Sequence, residues 1–494
     1  MPKDASSFEL TLNDSGKRGS LTRWLSGELR GAILDGRLRP GARLPSTRDF
    51  ASQYSVSRGT VVTVFEQLQA DGYLCGRVGA GTWVNHKLPQ DGQARVRESA
   101  KDTRFRPDPL RGLLPATGPA RPFRIGEPAT AEFPAKVWAR VASRRLRRFS
   151  EWLETEDDGR GYGPLREAIA DYLGTSRGVR CYPDQIAIVS GVQQALDLLA
   201  RLLAQPGDPV WMEDPGYFGA TIAFRNAGAT IVPVPVDEHG LNVEAGRKMS
   251  PQARLVYLTP AHQFPMGVVM SLERRLEAIE WAREAGAFVI EDDYDSEYRF
   301  EGRPVPALQG LDNGSNVIFV GTFNKLLFPS LRLGYVVLPP KLLEPFLVLR
   351  YGADLRFGSI DQAVLCDFIV EGHLGRHIGR MRELYAERLA ALLEGGRRHL
   401  EGLMEISSIR AGLYTAAFLR NGMTSREAEL AATEHEIESM GLHRFTLRRS
   451  DPRALLLGFG GFDPARIRNA LARLARALEA RGPHSARFEK RSTS

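Results

Sequence analysis

Residues 321–339 read GTFNKLLFPSLRLGYVVLP, where Lys325 stands beside Thr322 and Asn324, seven residues ahead of Arg332, between two runs that read as buried. A lysine just after a strand, with hydroxyl and amide groups beside it and a guanidinium further on, is arranged to form an imine with an aldehyde whose phosphate the neighbours hold. In isolation, Lys325 also suits a surface lysine whose stem lies along apolar neighbours. FVIEDDYDSEY ends another apolar run in Glu291, Asp292, Asp293 and Tyr294. That acidic cluster also suits a solvated loop or a metal site. AIVSGVQQAL passes from a strand through Ser190 and Gly191 into a helix, so the N–H groups of Val192 and Gln193 face outward at the positive end of a dipole. This makes a phosphate cradle, and the same residues also suit an ordinary helix start.

Taken in this order, the three stretches agree on pyridoxal 5'-phosphate as the aldehyde. Asp292, 33 positions before Lys325, then pairs with the pyridinium nitrogen and keeps the ring an electron sink, while Tyr294 hydrogen-bonds the ring oxygen. Such ligands sit at strand ends in open α/β sheets. The required strands are visible as QIAIVS, PVWME, TIVPVPV, RLVYLT, AFVIED, NVIFVG and GYVVLP, alternating with helical stretches such as GVQQALDLLARLLA and LERRLEAIEWAREAG. Alternation of this kind predicts a mostly parallel sheet with helices on both faces. From about residue 343 the pattern becomes helix-rich, with a small α/β end.

The 494 residues, 43% hydrophobic, suffice for several domains with buried cores. Cys75, Cys181 and Cys366 lie far apart without CxxC or Cys/His spacing, so neither a disulfide framework nor a zinc site is indicated. No apolar run approaches the roughly 18 residues of a membrane span, and the start has no apolar core of a signal peptide. A cytoplasmic protein is expected. The net charge of +7 is uneven: residues 1–148 hold 26 Lys/Arg against 14 Asp/Glu, and the remainder holds 40 against 45. A basic N-terminal part suits a polyanion such as DNA.

The pattern there supports that partner. LTRWLSGELRGAILDGRL places Leu21, Trp24, Leu25, Leu29, Ile33 and Leu34 on one helical face ending near Gly36. Ser46 caps a second helix and Ser57 a third, with about three residues between them, the spacing of a helix-turn-helix. YLCGRVGAGTWV then alternates as a hairpin around Gly79 and Gly81, a wing. Arg58, Gly59 and Thr60 fall in the first turn of the third helix, where side chains and N–H groups meet bases and phosphates. The alternative is a three-helix bundle used for docking, with Arg58 solvated.

Residues 21–84 resemble the winged helix-turn-helix of GntR-family regulators in RLPSTRDFA, VSRGTV and GAGTWV. The resemblance implies that Arg48, Arg58, Gly59, Thr60 and Gly79 meet double-stranded operator DNA. Residues from about 123 to 480 resemble fold-type I aminotransferases in VSGVQQAL, EDPGYFG, TPAHQFPMG, EDDYDSEY and NKLLFPSLRLGY. The union of the two resembles the MocR/GabR group of regulators. By that resemblance Lys325 carries the cofactor, Thr322, Asn324, Arg332, Val192 and Gln193 hold its phosphate, and Tyr217 stacks on its ring. The expected organisation is a winged helix over 1–85, a linker over 86–122, an aminotransferase-like domain over 123–480 and an unstructured tail over 481–494. The group further implies a head-to-tail homodimer and an effector that is pyridoxal phosphate or an amino compound.

Two positions depart from the enzymes of that fold. Phe264 stands where they have the Asn of N-P-x-G, and Leu456 aligns with an Arg that clamps the substrate carboxylate, with Arg453 three residues earlier. Losing a bidentate clamp costs affinity and orientation for an α-amino acid. A regulator is the reading these departures favour. Lys325, Asp292 and Tyr294 keep a working aminotransferase with a DNA-binding appendage open. An acyl-CoA-condensing enzyme of the same fold is a distant third, which the winged part leaves unexplained.

Overall fold

The computed structural model describes residues 20–77, 81–86, 118–148, 158–302, 305–312, 315–354, 358–420, 422–448 and 452–481. Two compact units, residues 1–112 and 113–494, divide the chain. Most of the expected linker and residues 482–494 of the expected tail lie outside the described residues.

In the first unit, helices Leu21–Leu34, Thr47–Gln53 and Arg58–Ala70 pack with a three-stranded sheet of β1 (Arg43–Leu44), β2 (Leu74–Arg77) and β3 (Gly81–Val84), in the order β1-β3-β2. The Ser46 hydroxyl accepts the Asp49 N–H at 3.2 Å and the Ser57 hydroxyl accepts the Thr60 N–H at 3.1 Å, so both helix starts are set by their caps. Residues 54–57 separate the two helices. Leu25, Leu29 and Ile33 meet Phe50, Val61, Val64, Phe65 and Leu68 in the core. Leu21 and Leu34 of the expected apolar face, the first and last residues of their helix, are instead 41% and 38% exposed. β2 and β3 pair antiparallel from Leu74↔Val84 to Arg77↔Gly81, giving the wing, whose tip with Gly79 lies outside the described residues.

The second unit is built on an eight-stranded sheet of β4 (Ile186–Val189), β5 (Pro209–Asp214), β6 (Thr230–Asp237), β7 (Gly240–Leu241), β8 (Leu255–Leu258), β9 (Phe288–Asp293), β10 (Val317–Thr322) and β11 (Gly334–Val337). Its order is β4-β11-β10-β9-β8-β5-β6-β7. From β10 to β6 the neighbours are parallel, whereas β11 runs antiparallel to both β10 and β4, and β7 antiparallel to β6. All seven expected runs form strands. The two-residue β7 is too short to leave a pattern.

Period-two alternation sends Ile186 and Ile188 into one core and Ala187 and Val189 into the other, so helices cover both faces. Leu196 and Leu199 of Val192–Leu203 line the second core, and Trp281 of Leu272–Ala285 stacks on Trp211 of β5 with ring centroids 3.7 Å apart. After the long helix His373–His399, a four-stranded antiparallel sheet of β12 (Met404–Ile406), β13 (Tyr414–Leu419), β14 (Met440–Gly441) and β15 (Ala454–Gly458) packs with helices Ser425–Glu434 and Pro464–Arg481.

Candidate cofactor site and nucleic-acid interface

The strands deliver the expected site residues at or just past their C-terminal ends. β4 leads through Ser190 and Gly191 into Val192–Leu203, β5 leads to Tyr217, β9 ends beside Tyr294, and β10 ends at Thr322 just before Asn324 and Lys325.

Alternation along β9 sorts its three acids. Glu291 accepts the N–H groups of Leu308 and Gln309, both at 3.0 Å, and Asp293 pairs with Arg177 at 2.7 Å. Asp292 faces the other way, where its Oδ2 accepts the Tyr257 hydroxyl at 2.6 Å and its buried Oδ1 has no partner. Burial pushes the Asp292 carboxyl up to about 7, against the Tyr257 hydrogen bond that lowers it. Such a carboxylate gains from any cation placed beside Oδ1.

Lys325 is partly buried and its Nζ donates to the Gly126 carbonyl at 2.6 Å; desolvation lowers its pKa. A lowered pKa raises the share of neutral amine, the nucleophilic form. Gly126 has φ +74, and a Cβ there would press on the Lys325 ammonium. Thr322 and Asn324 shape the loop that carries the lysine: the Thr322 hydroxyl accepts the Asn324 N–H at 3.2 Å and Asn324 Oδ1 accepts the Leu333 N–H at 3.1 Å. Asn324 Nδ2 faces Gly191, whose φ of +122 opens the start of Val192–Leu203 with no side chain capping it. Arg332 is exposed at φ +54 and makes no hydrogen bond or ion pair with the described residues. The cradle N–H groups and the guanidinium are therefore open to an anion.

Tyr217 caps Phe218–Asn226 through its backbone, and its hydroxyl donates to Gln193 Oε1 at 3.3 Å. Its ring meets Phe264 edge-on at 5.7 Å. The Tyr294 hydroxyl donates to the His262 carbonyl at 2.7 Å and lies 2.7 Å from the Tyr414 hydroxyl, with its ring 6.1 Å from Phe264. Phe264 thus fills an aromatic corner with Tyr217, Tyr294, Tyr414 and Phe445. Leu456 is fully buried in β15, opposite Ala416 and Met440, in a cluster that Phe264 and Phe218 cover. Arg453 is exposed just before β15.

Tyr257, Gly126, His262, Asp295 and Tyr414 were not legible as site residues. Tyr257 reads as one more apolar residue of RLVYLT, and Gly126 acts through its carbonyl, which every residue has. His262 Nδ1 lies 3.0 Å from Asp295, and both are buried. HQF in TPAHQFPMG was the available signal.

In the first unit, Arg48, Arg58 and Gly59 are exposed, and Arg58 makes no hydrogen bond or ion pair with the described residues. Among the described residues, a Cβ on Gly59 would meet only the Ser57 hydroxyl, 3.8 Å away, so its small size serves no contact with them. The Thr60 N–H is taken by Ser57, whose hydroxyl also lies 2.8 Å from that of Thr60. A free guanidinium and an open glycine at a helix start suit a phosphate or base edge.

Fold and site define a winged-helix protein that carries a fold-type I aminotransferase-like unit. Residues 22–84 match the family of bacterial regulatory proteins, gntR family, and residues 123–351 match aminotransferase class I and II. The probable rhizopine catabolism regulatory protein MocR of Rhizobium meliloti is 40% identical over 470 residues, covering 93% of this chain and 94% of that one. The pyridoxine biosynthesis regulator PdxR of Corynebacterium glutamicum is 30% identical, with 93% and 96% covered. Among solved structures, the α-aminoadipate aminotransferase LysN of Thermus thermophilus, in complex with N-(5'-phosphopyridoxyl)-L-leucine, is 30% identical with a TM-score of 0.67, covering 72% of this chain and 92% of that one. The chain belongs to the MocR/GabR group of GntR-type regulators. Pyridoxal phosphate is the cofactor of its aminotransferase-like part, and the unpartnered Asp292 Oδ1, the uncapped helix start and the unpaired Arg332 fit its ring nitrogen and phosphate. Among the described residues, no helix is long and apolar enough to cross a membrane.

Proposed function

We propose that the chain is a transcription regulator that binds operator DNA through its winged helix and senses pyridoxal phosphate, or an amino compound reacting with it, at Lys325. When bound, the cofactor supplies an aldehyde that reacts with amines and a ring that accepts electrons. Lys325 supplies the amine that holds it, Asp292 keeps a proton on the ring nitrogen, and Tyr294 donates to the ring oxygen. Tyr217 would stack on the ring, and Val192, Gln193, Thr322, Asn324 and Arg332 would hold the phosphate. Arg48, Arg58, Gly59, Thr60 and the wing Gly79 contact DNA. A cytoplasmic homodimer, head to tail as the family implies, completes the reading.

The observation that carries a regulator over an enzyme is Leu456, an apolar residue sealed in a core where the enzymes place a carboxylate-binding Arg. No clamp is available at that position. The aminotransferase reading is supported by Lys325 and Asp292, which retain what partial reactions with amines require. Sensing needs two states that the effector distinguishes, since a ligand shifts an equilibrium only by differential affinity. The test is binding to the chain's own upstream DNA, with and without cofactor and candidate amines, alongside assays for amino-group transfer. Sequence-selective binding altered by cofactor supports a regulator. Many turnovers without any sequence preference at low salt would replace it with the enzyme.

A further inference from the structure

The geometry points to Tyr414 as a positioning residue: from the start of β13 it donates a hydrogen bond into the Tyr294 hydroxyl oxygen and so sharpens Tyr294 as a donor to the cofactor ring. This rests on the pyridoxal phosphate reading. Without cofactor the one proton of the Tyr294 hydroxyl goes to the His262 carbonyl at 2.7 Å, and when it turns to the ring oxygen it still points away from Tyr414, so in both states the 2.7 Å contact is donated by Tyr414; His262 Nδ1, 3.1 Å from the Tyr294 oxygen, gives its own proton to the Asp295 carboxylate. Donation into an oxygen polarises its own O–H and makes it the stronger donor. Where the enzymes supply a second polar group, Phe264 offers only a ring, 5.6 Å from Tyr414 and 6.1 Å from Tyr294. Tyr414 supplies a hydroxyl to that corner, acting through Tyr294 and not on the ring itself.

The pair is held from two sides. The Gly412 N–H donates to the Tyr298 carbonyl at 3.0 Å and the Phe300 N–H to the Arg410 carbonyl at 2.8 Å, tying the chain after β9 to the chain before β13. Gly412, at φ +97, lies against the His262 ring, where a Cβ would overlap it. The titratable groups facing the two hydroxyls are His262, Asp292, Asp295 and Glu213. Asp292 and Asp295 lie three residues apart around the end of β9, Glu213 lies in β5 and His262 in the loop after β8, with its Nδ1 3.1 Å from the Tyr294 hydroxyl.

Tyr414→Phe removes one oxygen and tests this on the full chain loaded with pyridoxal phosphate. The readout is the pH midpoint of the cofactor's visible absorption change, with cofactor affinity read separately by fluorescence. A weaker Tyr294 donor leaves more negative charge on the ring oxygen, which holds the neighbouring proton more tightly, so the midpoint should rise by about half a pH unit. In a Tyr294→Phe background the same substitution should add nothing. A residue that only packed the fold would lower the melting temperature of the cofactor-free protein and leave the midpoint alone. An unmoved midpoint with an intact band would overturn the inference alone, as would a shift of full size in the Tyr294→Phe background. A wild-type protein with no band on adding pyridoxal phosphate would overturn the cofactor reading as well.

Discussion

Asp292→Asn should move stability and cofactor affinity in opposite directions. In the cofactor-free protein, burial raises the Asp292 carboxyl from 3.8 to about 7. Because the folded pKa lies above the unfolded one, the unfolded chain loses this proton first as the pH rises. Stability contributed by the site is therefore lost between about pH 4 and pH 7. At pH 8 the full penalty is about 4 kcal/mol, and at pH 5 about 1–2 kcal/mol of it remains. Asparagine has no charge to desolvate, but burying an unpaired amide costs about 1–3 kcal/mol. The variant should thus be more stable than wild type by about 1–3 kcal/mol at pH 8, and level with it or less stable at pH 5. Glu297, also raised to about 7 chiefly by burial, contributes to both proteins and cancels in the difference, whereas Glu213 is held up in part by the Asp292 charge and relaxes with its removal, in the same direction. Denaturant unfolding at the two pH values gives the comparison, with the stacked Trp211 and Trp281 in the large unit as a fluorescence probe. Pyridoxal phosphate should bind the same variant more weakly by about 2–5 kcal/mol, the range for removing one member of a buried charged pair. A variant less stable than wild type at pH 8, or one with unchanged cofactor affinity, would show that Asp292 is not the unpaired carboxylate of a cofactor site.

Lys325→Ala should abolish the visible cofactor band yet leave the protein folded, since among the described residues Nζ has one hydrogen bond, to Gly126; circular dichroism and absorbance decide it. Arg332→Gly should relieve a left-handed backbone and stabilise the cofactor-free protein by about 0.5–1 kcal/mol, while weakening cofactor binding by about 1.5–3 kcal/mol. A parallel loss of both would mean that Arg332 serves the fold. Arg58→Ala should weaken operator binding by about 1–3 kcal/mol if it reads a base, with relaxed sequence preference. If it touches phosphate, the slope of log affinity against log salt should fall by about one unit, and an unchanged affinity and slope would remove Arg58 from the interface.

Local chemistry and periodicity were enough to find the elements and the reactive groups. The capping serines Ser46 and Ser57, the seven strand runs, and the placing of Val192, Asp292 and Lys325 at strand ends all depend on residues near one another in the chain. Long-range pairing was not readable in this way. Which of Glu291, Asp292 and Asp293 is left without a cation or backbone N–H depends on Arg177, on the N–H groups of Leu308 and Gln309, and on Tyr257, each brought in from another element. The contact of Gly126 with Lys325 spans 199 residues and that of Tyr414 with Tyr294 spans 120. No periodicity encodes such contacts, because they arise where two separately specified surfaces meet. The sequence alone determined that a phosphate-bearing aldehyde and DNA are the ligands to consider. Only the tertiary structure decided which of the three β9 acids is buried without a cation, which guanidinium remains unpaired, and that Leu456 is core, since burial and charge pairing are properties of the packed chain.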